Sequence, residues 1–74
     1  MDNQHRKITG YRDLTQDEID LMNAIKTVGA DVGRLVDAIA ADATFDARWT
    51  AIARTHLQEG FMALTRAVAK PDSF

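Results

Sequence analysis

The feature that most constrains this chain is an apolar stripe with a marked beginning. Leu21, Ile25, Val28, Val32, Leu35 and Ile39 recur with alternating steps of four and three, the spacing of a heptad seam on one helix. Met22 and Val36 widen the stripe. Its start is written in the residues before it. Thr15 suits the N-cap, Glu18 completes a capping box, and Leu14 with Ile19 fits a hydrophobic staple. Asp17 and Glu18 complement the positive end of the helix dipole. Gly29 and Gly33 interrupt this helix at a cost of about 1 kcal/mol each relative to alanine. They share a face and either admit a close neighbour or are simply tolerated.

A second helical pattern follows. Trp49, Ile52, Ala53, Leu57, Phe61, Leu64 and Val68 keep helical spacing, after a turn near residues 41 to 46 in which Thr44 or Asp46 can cap. Lys70 suits the negative helix end, and Pro71 stops the helix. The pattern predicts an all-α fold: an arm over residues 1–14, a hairpin over 15–70 with helices at about 15–41 and 46–70, and a tail over 71–74. Each helix would be roughly 37 Å long. The short connection makes the two antiparallel neighbours. No strand, internal repeat or interdomain linker is expected.

Two helices bury little. The chain has 74 residues, and one core of this size rarely supplies more than about 3–5 kcal/mol. Cysteine is absent, which removes disulfides and thiolate metal sites. His5 and His56 are too far apart in sequence to form a metal-ligand pair. Phe45, Trp49, Phe61, Met62 and Leu64 cannot all enter a single two-helix seam. Self-association is the remaining supplement, because an exposed apolar flank invites it.

Charge narrows the partners. Residues 13 to 46 hold eight acids against Lys26 and Arg34, whereas residues 5 to 12 hold Arg6, Lys7 and Arg12 with no acid. A chain whose longest segment is acidic does not suit duplex nucleic acid. A small anion held near the basic arm does fit. No apolar run reaches membrane-spanning length, and the polar start, Met1 to Arg6, does not read as a secretory signal.

Catalytic constellations are missing from the pattern. Ser73 is the one serine and lies next to the C-terminus, and no glycine-rich phosphate loop follows a strand. The acids of the first helix read as a solvated outer face rather than a general acid–base pair. His56, beside the second stripe, reads as a satisfied interior or interface histidine. Tyr11, Met22 and Lys26 form the more suggestive group. Bases stack on aromatics for roughly 1–3 kcal/mol each, and a lone ammonium can pair with a phosphate. Met22 and Lys26 are four apart on one helix face. The spacing equally suits a plainer arrangement, Tyr11 packed on Met22 with Lys26 in water.

The stretch His5-Arg6-Lys7-Ile8-Thr9-Gly10-Tyr11-Arg12-Asp13-Leu14, continuing through Glu18-Ile19-Asp20-Leu21-Met22-Asn23-Ala24-Ile25-Lys26, resembles the phage anti-CBASS cyclic-nucleotide sponge family, second type. So do Arg48-Trp49-Thr50-Ala51-Ile52-Ala53-Arg54, Gln58-Glu59-Gly60-Phe61-Met62-Ala63-Leu64 and Arg66-Ala67-Val68-Ala69. CBASS is a bacterial defence in which cyclic oligonucleotide signals activate a toxic effector. The resemblance implies a compact helical homohexamer in the host bacterial cytoplasm. Such an assembly holds cyclic dinucleotides such as cGAMP between paired protomers, uncut, without a metal or cofactor. It places the family's key tyrosine and lysine at Tyr11 and Lys26. Ile8 and Met22 then supply shape, and Arg12 and His5 close the mouth of the pocket. It also implies a separate cyclic trinucleotide site among three protomers, which we expect near Arg66 and Thr27. A different class of function fits the same helices: an oligomeric adaptor whose apolar stripe binds a partner protein.

Overall fold

The computed structural model describes residues 13–71. Two helices make up its ordered framework: α1, Gln16–Ala40, and α2, Ala47–Ala69. They pack side by side as an antiparallel hairpin.

Local chemistry fixes each end. The Glu18 N–H donates to Thr15 Oγ1 at 3.2 Å, and the Thr15 N–H donates to Glu18 Oε1 at 2.8 Å. This reciprocal pair satisfies two amides that have no partner within the helix. At the other end the turn is held by Asp42, whose Oδ1 accepts from the Thr44 hydroxyl at 2.6 Å and the Thr44 N–H at 2.9 Å. Those bonds, the hydroxyl's first, hold the Asp42 carboxyl below the usual 3.8. Thr44 is thereby engaged in the turn, and Asp46 caps α2 by accepting from the Trp49 N–H at 3.0 Å. α2 closes on Lys70, whose φ of 46° places it in the left-handed region, and its N–H reaches the Arg66 carbonyl at 2.8 Å. Glycine is the residue that adopts this cap without strain.

The seam is rotated from the one expected. On α1 the side turned to α2 carries Met22, Ile25, Gly29, Val32, Gly33, Val36 and Ile39, half-buried or buried. Leu21, Val28 and Leu35 are 54%, 52% and 61% exposed. The pair expected to widen the stripe, Met22 and Val36, therefore sits at its centre, while three of the six expected seam positions face away. α2 behaves alike. Phe61 and Val68 turn inward, but Trp49, Leu57 and Leu64 remain exposed. Thr50, Arg54 and Thr65 occupy the inner side in their place. Two of those polar residues are self-satisfied, since the Thr50 and Thr65 hydroxyls donate to the carbonyls of Asp46 and Phe61 at 2.8 and 3.0 Å. A threonine bonded to its own helix can turn its methyl inward without leaving a polar group unpaired.

The acids of α1 are not all solvated bystanders. Asp37 accepts from Arg54 at 2.8 Å across the hairpin, and Lys70 Nζ lies 3.4 Å from Glu18 Oε2. Asp31 pairs with Arg34 within α1. His56 is an exposed residue of the hairpin with Nδ1 3.6 Å from Glu59, not an interior one. Gly29 faces the Phe61 ring with room for a methyl, so neither glycine is required by a close approach within the hairpin. A Cβ at Gly29 would touch the Phe61 ring at 3.5 Å, whereas Gly33 has nothing within 4 Å. Among the described residues only Val36 and Ala69 are buried.

Candidate functional site

Met22 and Lys26 share one flank of α1, one turn apart, because four residues span slightly more than one helical turn. Met22 is half-buried and Lys26 is exposed. Beside them the two helices leave a groove of about 480 Å³, lined by Met22, Met62, Ala63, Thr65, Arg66, Ala69 and Pro71. Its floor is apolar, with methionine side chains that adapt to irregular shapes. The Arg66 guanidinium brings to it a forked donor suited to carboxylate or phosphate. The groove lies at the end of the hairpin where α1 begins and α2 finishes, so the arm joins the fold there.

The sequence-level candidates divide accordingly. Tyr11, Ile8, Arg12 and His5 lie outside the described residues. Met22 and Arg66, assigned to different sites from sequence, line the same groove. Thr27 is not part of it. It lies about 100° round the helix from Lys26, and its hydroxyl already donates to the Asn23 carbonyl at 3.0 Å. From sequence Met62 is a surplus apolar residue and Pro71 a helix stop, and Thr65 and Ala69 carry no site role. Met62 and Arg66 are four apart on α2, a spacing that signals a shared face. Their meeting with Met22 depends on the hairpin's register, which sequence spacing does not fix.

Two further hollows differ in character. One of about 340 Å³ at the turn end is lined by Val36, Ile39, Phe45, Asp46, Trp49, Thr50 and Ala53. It is strongly apolar, with Arg48 over the Trp49 ring at 5.9 Å. A shallow notch of about 70 Å³ lies beside Gly33, Arg54, Leu57 and Phe61. Among the described residues no group of three His, Cys, Asp or Glu side chains is placed to hold a metal ion. No described helix is long and apolar enough to cross a membrane.

Comparison with known proteins agrees with this architecture. The Acb2/Tad1 hairpin domain matches residues 3–69. A protein of Pseudomonas phage JBD67 named anti-CBASS protein 2 is 41% identical, over 97% of this chain and 98% of that protein. The family match spans residues 3–69, a range that takes in both helices. This chain belongs to the Acb2/Tad1 hairpin family.

Proposed function

We propose that this protein blocks CBASS defence by holding cyclic oligonucleotide signals, cyclic dinucleotides such as cGAMP and cyclic trinucleotides, without cleaving them. The observation that carries this reading is the groove between Met22 and Arg66, beside Lys26 and at the end where the arm joins. It offers an apolar floor for bases and cations for phosphates. The near full-length likeness to a protein named for anti-CBASS action supports the same reading.

The roles follow from chemistry. Tyr11 stacks on a base, Lys26 pairs with a phosphate, and Ile8 and Met22 shape the pocket. Arg12 and His5 close its mouth. Arg66 serves a cyclic trinucleotide site, where the engaged hydroxyl of Thr27 makes Thr27 the weaker member. Pockets shared between copies, in a hexamer within the host bacterial cytoplasm, would slow release. Holding a ligand needs no nucleophile or base.

Calorimetry with 3′,3′-cGAMP tests this. Binding is expected for the intact protein and should fall sharply in Tyr11→Ala and Lys26→Ala. Ligand recovered after denaturing the protein should be chemically intact. Absence of binding, or a cleaved product, would overturn the proposal.

A further inference from the structure

The Glu18 carboxylate has two different neighbours, one for each oxygen. Oε1 accepts from the Thr15 N–H at 2.8 Å, and Oε2 lies 3.4 Å from Lys70 Nζ. The first contact belongs to the capping box, a device local to α1. The second crosses the hairpin and joins the first turn of α1 to the residue that closes α2. The Glu18 side chain is 15% exposed, against 65% for Lys70. A carboxylate so far out of water is costly unless it is paired. The ammonium therefore does more for Glu18 than a partner on open surface would.

The backbone at Lys70 does not favour a lysine. Its φ of 46° and ψ of 59° lie in the left-handed region, which glycine adopts without strain. What lysine adds there is a point charge on a long stem. Its surroundings give that charge a use. Ala69 and Pro71 on either side of it, and Arg66 before it, line the groove that holds Met22. The Lys70 N–H is bonded to the Arg66 carbonyl at 2.8 Å. Pro71 has no N–H to donate, so its place depends on the residue before it. The ammonium that meets Glu18 thus stands on the stretch of backbone that forms one wall of the groove. On the other wall Glu18, Met22 and Lys26 are successively four apart, so they share one flank of α1.

We propose that Glu18 and Lys70 are positioning residues for the groove. Their ion pair sets the Ala69–Pro71 wall against the Met22–Lys26 flank, and neither residue touches the ligand. This rests on the reading of the groove as a cyclic nucleotide site. A wall held in place before binding has less freedom to lose on binding. Breaking the pair is therefore felt as weaker binding, with both helices kept.

Two variants break the pair from opposite sides. Lys70→Gly removes the ammonium and gives the left-handed cap the residue that suits it. Glu18→Gln removes the charge but keeps an acceptor for the Thr15 N–H, because Gln also completes a capping box. Both should retain the helical circular dichroism of the natural protein, and Lys70→Gln repeats the test without a glycine. Each should weaken 3′,3′-cGAMP binding in calorimetry about three- to tenfold, within the range of coupling between residues in contact. The double variant should lose no more than either single one, and Lys70→Arg, which keeps the charge, should recover most of the loss. Weakening by Lys70→Gly with normal binding by Glu18→Gln would overturn the proposal and make Lys70 a direct ligand contact. Losses that multiply in the double variant, or natural affinity in both single variants, would overturn it too. If the natural protein binds no cGAMP, the reading of the groove falls, and the pair is judged without ligand. Exchange of the Thr15 amide, followed by NMR, should then be faster in Lys70→Gly than in the natural protein. An unchanged rate would overturn the pair as well.

Discussion

At the residue scale, Lys26 stands out because its neighbours do not explain it. It lies in the acidic stretch and is exposed on the flank shared with Met22. A hydrogen bond to a charged group contributes about 1.5–3 kcal/mol. Lys26→Ala should therefore weaken cGAMP binding at least tenfold and leave the melting midpoint unchanged, which calorimetry and thermal denaturation separate. Asp42 gives a pH-dependent counterpart. Its carboxyl is lowered by the Thr44 hydroxyl and N–H, so its contribution is complete above 3.8 and fades as pH falls through its lowered folded value. Asp42→Ala should melt below the natural protein at neutral pH, and the difference should shrink in acid below that point. Residue chemistry was legible early where local bonds decide it. The Thr15–Glu18 box needs only residues three apart. The companions of Met22 were not, because Met62, Thr65 and Ala69 reach it across the hairpin.

At the element scale, both helices could be read from sequence, but not the side each turns to its partner. A stripe with heptad spacing is wide, and any line within it satisfies the same pattern. Packing chose the line through Met22, Gly29 and Val36, where the Phe61 ring lies over Gly29. Thr50 and Thr65 then turned inward, with their hydroxyls bonded to their own helix. Polarity alone assigns such threonines to the outside. The glycines supply an element-scale prediction. Gly33→Ala meets open space and should stabilise α1 by up to about 1 kcal/mol. Gly29→Ala places its methyl 3.5 Å from the Phe61 ring, ordinary contact, and should stabilise to a similar or slightly smaller extent. Urea denaturation with an unchanged slope checks both. A large loss at Gly33 would show that something else occupies that notch in the assembled protein.

At the scale of the whole molecule, the division between faces links fold to function. Within one hairpin Val36 and Ala69 are the buried residues among those described. The cross-helix Arg54–Asp37 pair is exposed on both sides, and such pairs contribute about 0–1 kcal/mol each. Nine large apolar side chains among the described residues are left exposed, Leu21, Leu35, Trp49 and Met62 by more than half. If copies of the chain cover it, folding and association are one equilibrium, and stability depends on concentration by mass action. The melting midpoint should rise steadily as protein concentration rises, and Val28→Asp should lower it by placing a charge between the exposed Leu21 and Leu35. Saturating cGAMP should raise the midpoint of the natural protein further, because a ligand held by the folded state alone stabilises that state. In Lys26→Ala the dependence on concentration should persist while the ligand-induced rise shrinks. A midpoint independent of dilution would show that the hairpin is stable alone. A ligand-induced rise that Lys26→Ala leaves intact would place ligand binding away from the Met22–Lys26 flank.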